Sequence, residues 1–354
     1  MPQSYYEPVF ELTRGQTPES VHFGGIAVVD SEGRLLAHYG NPAVTPFLRS
    51  SAKPFQALPL IERQGHVKYG LDGQEIAITC ASHSGTADHV SVIKSIQQKI
   101  GYGEGDLMCG VHYPLHEATS NEMRARRESP TPNQHNCSGK HTGMLALVRM
   151  TGYSGLNLAY IDPEHPIQKI IKNTFAEMCM LPEDAVSMGI DGCSAPNFAI
   201  PLLQAAWGFA RFCDPQASEV QPVERMSACQ TIASAMWKYP EMVGGPGRFD
   251  TRLMQIGAGR WIAKGGAEGY QGIGVFRNAF APNSPALGIA LKISDGDSRG
   301  RIGAAVSMEV LRQLGVLSRA DLEALTDFGP SFTIRNWRKL HVGEGRPVFD
   351  LVWS

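Results

Sequence analysis

At 354 residues and 43% hydrophobic content, the chain is long enough to bury a sizeable core as one large domain or two ordinary ones. Its 32 basic residues face 34 acidic ones for a formal net charge of −2, with no block of like charges, which argues against nucleic acid or a membrane surface as partner. No run reaches the roughly 18 apolar residues of a membrane helix, the N-terminus has no secretory pattern, and seven cysteines scattered over the chain read as reduced thiols, so the expected location is cytoplasmic.

Residues 21–40, VHFGGIAVVDSEGRLLAHYG, place two apolar runs around DSEG, a hairpin signal. RSSAKPF at 49–55 sets Ser50 and Lys53 three residues apart, and Pro54 disfavours helix at Lys53, holding it at a boundary. EIAITCA (75–81) reads as a strand that runs into the glycine turn of HSGT, followed by a helix with Val90, Ile93, Ile96 and Ile100 at helical spacing. Helices are predicted over 141–150, 166–180, 197–212 and 222–237, with the polar break GIDGCSAPN between the second and third. GIGVFRN and ALGIALKIS return to strand character, and a helix follows from about Ile302 to Leu314. Ser318 with Asp321 three residues on has capping-box spacing, and RKLHVGEGRPVFDLVW reads as a closing hairpin. Strands at both ends of a helical middle, roughly 86–240, predict an α+β fold with a mainly antiparallel sheet flanked by helices, in a single domain over 1–354.

Three clusters carry chemistry. In Ser50-x-x-Lys53, a neutral lysine is one of the few bases able to activate a serine without a histidine; taken alone, the pattern is weak and better fits a helix N-cap serine with a solvated lysine. Ser82 and Ser84 lie in CASHSGT at a turn into a helix, and Lys264 opens KGGAEG after the strand-like RWIA. The order S-x-x-K, second serine, Lys-x-Gly is that of serine-lysine acyl-transfer enzymes, although no S-D-N is present and the third element is KGG. NQHNCSGKHTGM gathers His135, Cys137, Lys140 and His141, joined by Asp191 and Cys193 of GIDGCSAPN. Two thiolates with nitrogen donors suit zinc, but the spacing is not that of a zinc finger, and buried reduced cysteines are the alternative.

RSSAKPFQ (49–56), CASHSGT (80–86), HNCSGKHTGM (135–144), GIDGCSAPN (189–197) and KGGAEG (264–269), in that order, resemble the Rhizobium etli type, or class 3, L-asparaginases. The resemblance runs from the first hairpin to the DGD segment near residue 295. It implies a homodimer, a serine β-lactamase/glutaminase-like αβα sandwich, and hydrolysis of L-asparagine to L-aspartate and ammonia. It implies that Ser50 pairs with Lys53 and Ser82 with Lys264. It also implies a zinc ion near the serines, held by Cys137, Lys140, Cys193 and water, in a structural or substrate-orienting role. On this reading Ser50 attacks, Lys53 is its base and Ser82 relays the proton. Asparagine carries both charges, so Arg49 is the candidate for its carboxylate, Asp191 or Glu268 for its ammonium, and His83 a further substrate contact. The rivals are a glutaminase, since one methylene is worth only about 1–3 kcal/mol of discrimination, a penicillin-recognising acyl-transfer enzyme, and a zinc-stabilised binding module without activity.

Overall fold

The computed structural model describes residues 5–354. Strands β1 (Glu7–Arg14), β2 (Thr17–Asp30) and β3 (Leu35–Tyr39) come first. The β2–β3 turn is DSEG: the Asp30 carboxylate accepts the N–H groups of Glu32 and Arg34, and Gly33 takes φ +87°. A 3₁₀ turn, Arg49–Ala52, feeds α1 (Lys53–Glu62), with Pro54 in the first helical turn, where its missing N–H is tolerated. Next come α2 (Gly65–Lys68), α3 (Gly73–Thr79), α4 (Ala87–Ile100), α5 (Glu117–Ala125), α6 (Ser138–Thr151) and α7 (Pro166–Met178). A hairpin, β4 (Ser187–Ile190) and β5 (Pro196–Ala199), precedes α8 (Leu202–Cys213), α9 (Val223–Lys238), α10 (Pro240–Val243) and α11 (Phe249–Gly257). The remainder is β6 (Trp261–Gly266), β7 (Tyr270–Val275), β8 (Leu287–Ile293), α12 (Ile302–Gln313), α13 (Arg319–Ala324), β9 (Phe332–Arg335), β10 (His341–Pro347) and β11 (Val352–Trp353).

The chain divides into two compact units, each discontinuous in sequence. The sheet unit comprises the N-terminal part to Ser51, Ile200–Asp214 and Ala263–Ser354. Its strands run in the order β6-β7-β8-β2-β1-β10-β9, with β3 pairing both β2 and β11, and the registers are antiparallel as expected. All of β7, nearly all of β8 and residues 24–30 of β2 are buried, so both faces are covered. One face is kept small for α8: a Cβ at Gly272 would lie 2.2 Å from Phe209, and one at Gly288 1.7 Å from the Ala206 carbonyl. Helix α12 packs against β7, β8, β1 and β10.

The helical unit comprises Ala52–Ala199 and Pro215–Ile262. Helix α1, buried from Lys53 to Ile61, packs against α6, α7 and α9, while α3 packs against α4, α6 and α9. Gly139 of α6 rests on α3 so closely that a Cβ there would lie 2.1 Å from the Ile78 carbonyl oxygen.

Several local readings are corrected. The helical region begins at Lys53 rather than near residue 86. Residues 73–79 form a helix, not a strand, because Asp72 and Glu75 close a capping box: the Asp72 side chain accepts the Glu75 N–H at 2.9 Å and the Glu75 carboxylate the Asp72 N–H at 2.8 Å. A short apolar run does not by itself distinguish a buried strand from a buried helix. Residues 196–199 are strand, and the helix predicted from 197 starts at Leu202, after Pro201. The C-terminal segment is no hairpin: β10 lies between β1 and β9, and β11 pairs with β3. Gly343 and Gly345 make room there for Thr13 and Phe332.

Candidate active site

Lys53 is 1% exposed, and its ammonium donates to the Ala81 carbonyl at 2.6 Å, Ser82 Oγ at 2.9 Å and Cys137 Sγ at 3.1 Å. Those three bonds use all three protons of a lysine. The resemblance pairs Lys53 with Ser50; within the helical unit it is Ser82 that receives the Lys53 ammonium. The Ser82 turn is held from outside itself, since Val243 O accepts the Ser82 N–H at 2.9 Å and Gly244 O the Ser84 hydroxyl at 2.8 Å. Gly85 takes φ +72°, and a Cβ there would lie 2.7 Å from the Gln134 carbonyl, so the HSGT glycine has no substitute.

His83 lies behind this turn. It is 0% exposed, its Nδ1 accepts the Gly85 N–H, and its Nε2 meets Ser138 Oγ at 2.9 Å. Ser138 spends its own proton on the Asn133 carbonyl, so Nε2 carries the hydrogen and the ring is neutral. Burial first, then the stacked His89 ring 5.0 Å away, drives its pKa well below 6.5. His83, expected from the sequence among the substrate contacts, is buried and links the Ser82 turn to Ser138 at the start of α6.

In the sheet unit, Arg49 takes φ +52°, a strained conformation for a residue with a side chain, directly before the half-exposed Ser50. The next residue, Ser51, donates its hydroxyl to the Lys264 carbonyl. Gly266 permits that docking, because a Cβ there would lie 2.3 Å from Leu48 O; this is what the second glycine of KGG does. Lys264 is 1% exposed and its Nζ donates to Gly265 O at 2.7 Å. The two candidate charge holders meet: Arg49 Nη1 and Glu268 Oε1 are 3.8 Å apart. Lys292 of β8, absent from the sequence reading, donates to the Glu268 and Ile293 carbonyls, and burial pulls its pKa down. A lone charge in the apolar run ALGIALKIS was the available signal.

Cys137 caps α6 and Lys140 lies one turn along it, its Nζ donating to Cys193 Sγ at 2.9 Å. Cys193 sits in the β4–β5 turn, which Asp191 shapes by accepting the Gly192 N–H on its side chain and the Ser194 N–H on its carbonyl. The hydrogen bond from Cys193 holds the Cys137 pKa well below its usual value; burial opposes it, while the Lys53 and Lys140 charges assist. Burial pulls the Lys140 amine down, but Cys193 and Cys137 outweigh it and its pKa is raised. His135 accepts the Cys137 N–H on Nδ1, and His141 pairs with the Tyr160 hydroxyl; burial holds each imidazole at about 4. Among the described residues no group of three or more His, Cys, Asp or Glu side chains forms a metal site. A cation here would therefore need the Lys140 amine as third donor beside two sulfurs, a buried set whose chemistry fits zinc once the lysine is deprotonated. Ser138, Asn133 and Tyr160 were not foreseen, since each acts through a neighbour rather than through a motif.

A family model described as L-asparaginase II matches residues 10–347. No curated protein matches. Among solved structures, the Bacillus subtilis glutaminase YbgJ in covalent complex with 5-oxo-L-norleucine is 13% identical, with TM-score 0.39 over 84% of this chain and 89% of that one. A probable glutaminase from Bacillus subtilis complexed with 6-diazo-5-oxo-L-norleucine is 13% identical, with TM-score 0.38 over 84% and 85%. Mglu in its native form is 12% identical, with TM-score 0.32 over 84% and 66%.

Proposed function

Because the chain belongs to the L-asparaginase II family, a family of amidohydrolases, we propose that it hydrolyses L-asparagine to L-aspartate and ammonia by serine-lysine acyl transfer, as a cytoplasmic homodimer. The observation that carries the mechanism is the buried Lys53 ammonium 2.9 Å from Ser82 Oγ. An acyl transfer needs a nucleophile, a proton acceptor and a site for the oxyanion. Ser50 is half-exposed and follows a strained residue, whereas Ser82 is 9% exposed, which supports Ser50 as the attacking hydroxyl. On this reading Lys53 acts as the neutral amine: Ser50 Oγ attacks the side-chain amide carbon, and its proton passes to Lys53 Nζ, restoring the ammonium that donates to Ala81, Ser82 and Cys137. Ser82, already hydrogen-bonded to Lys53, hands a proton to the departing ammonia. Water then cleaves the acyl-serine ester, returning aspartate and the free hydroxyl.

Arg49 is proposed to hold the substrate carboxylate and Glu268 its ammonium, their mutual ion pair opening on binding. Asp191 organises the Cys193 turn rather than touching substrate directly. Cys137, Lys140 and Cys193 would hold zinc, which would supply a charge that orients the loops bearing these residues. The decisive experiment measures ammonia from L-asparagine and L-glutamine at equal concentration for the native enzyme, Ser50→Ala and Ser82→Ala. Release from asparagine that disappears in Ser50→Ala is expected. Preference for glutamine would reassign the substrate, and full activity in Ser50→Ala would move the attack to Ser82.

A further inference from the structure

A cleft of about 730 Å³ opens in the helical unit among α4, α9, α10 and α11. That size suits a small-molecule ligand, and none of its lining residues belongs to the Lys53, Ser82 and Cys137 cluster. Its charge is lopsided: Asp88 and Glu241 contribute two carboxylates against the single ammonium of Lys238. The exposed Asp88 carboxylate has no hydrogen-bond or ion-pair partner among the described residues, His89 feeling its charge from one residue away. Glu241 accepts one hydrogen bond, from Gln255 at 3.2 Å, which leaves its second oxygen to the cleft. Trp237 and Tyr239 add aromatic wall, and the Lys238 ammonium already stands 5.4 Å from the Trp237 ring centroid, a geometry that suits a cation.

The same wall holds the Ser82 turn. Tyr239 to Met242 line the cleft, and the next two carbonyls, Val243 and Gly244, accept the Ser82 N–H and the Ser84 hydroxyl. The Glu241 carbonyl meets His89 Nε2 at 2.8 Å, and His89 stacks on His83. Gly245, at φ +105°, is packed so tightly that a Cβ would lie 2.3 Å from Ser84 Oγ. A ligand that shifts residues 239–242 therefore shifts the carbonyls that fix Ser82.

We propose that this cleft is a second ligand site, taking a small molecule with an organic ammonium on a partly apolar body, and that its occupancy is transmitted to the Ser82 turn. The site is separate from asparagine hydrolysis, and its test needs no turnover. Calorimetric titration of the full chain would use phenethylamine, L-phenylalanine and 3-phenylpropionate, with amide hydrogen exchange followed in the peptide spanning 81–86. Phenethylamine is expected to bind saturably at least about tenfold more tightly than 3-phenylpropionate and to change exchange in that peptide. The double variant Asp88→Asn, Glu241→Gln, with unaltered melting, should lose about tenfold in amine affinity. L-phenylalanine binding as tightly as phenethylamine would assign the site to amino acids, and weaker binding to amines; either supports it. Equal binding of 3-phenylpropionate, no saturable binding of either ammonium compound, or binding with unchanged exchange at 81–86 would overturn it.

Discussion

Replacing Gly139 by alanine tests whether the α3–α6 contact sets the geometry around Lys53. The added Cβ would lie 2.1 Å from Ile78 O and 2.9 Å from its carbonyl carbon, main-chain atoms that no rotamer change removes. Ordinary contact begins near 3.4 Å, so the two helices must part by about 1.3 Å at that point. Ile78 leads directly into Ala81 and Ser82, and Gly139 stands between Cys137 and Lys140, so the displacement pulls apart two sides of the Lys53 hydrogen-bond set. Overpacking costs about 1–3 kcal/mol, and alanine recovers about 1 kcal/mol of helix propensity over glycine. The net loss is roughly 0–2 kcal/mol, at most a few degrees in Tm for a chain of this size. Catalysis should suffer more, because a misplacement of about 1 Å costs on the order of 10²-fold in rate. Calorimetry and a coupled assay for ammonia read the two effects separately. Gly143→Ala is the control: its nearest neighbour is the Thr79 side chain at 3.2 Å, and it should stay within about threefold of wild type. Wild-type turnover in Gly139→Ala, or equal damage in both variants, would refute the reasoning.

Lys53→Met should lower kcat by about 10²–10⁴-fold, the range for a lost general base, and steady-state ammonia release checks it; near-native turnover would remove Lys53 from the proton path. Cys193→Ser should roughly halve the sulfur-to-cobalt absorption of the cobalt-loaded protein, leaving Cys137 as its thiolate ligand, and an unchanged spectrum would place the metal elsewhere. Stripping zinc should raise KM more than it lowers kcat, and a loss confined to kcat at saturating substrate would contradict an orienting role. Stability should fall as pH drops below about 6.5, because His83 and His89 have lowered pKa values in the fold and take up protons on unfolding. Urea midpoints at pH 7 and 5 measure this, and an unchanged midpoint, or no flattening of the slope in His89→Gln, counts against it.

Local structure was legible in the sequence where its signal was local. DSEG closed a turn through Asp30 and Gly33, and Ser318 capped α13 through Asp321 as its spacing predicted. Structure was not legible where neighbours in space decided it. EIAITCA has the composition of a strand, and the evidence for helix lay just upstream, in DGQE, where Asp72 and Glu75 cap each other. The final hairpin failed because a sequence pattern sees only adjacent runs, whereas Gly343 and Gly345 fit β10 between strands more than 300 and fewer than 15 residues away in the chain.

The candidate site divides in the same way. Motif order supplied its inventory, because serine, lysine and cysteine are the residue types the chemistry requires. Pairing did not follow from order. A buried lysine has three protons to place, and leaving one without an acceptor costs about 1–3 kcal/mol. Lys53 therefore points where three acceptors coincide, and the chain leaving α3 and the start of α6, brought together at Gly139, offers a carbonyl, a hydroxyl and a sulfur at one point. The residue that decides the direction of the proposed base is thus a glycine in another motif, chosen for the side chain it lacks. That is why S-x-x-K alone is so weak a signal, and why the glycines of HSGT, SGK and KGG belong to the argument as much as the groups they bring together.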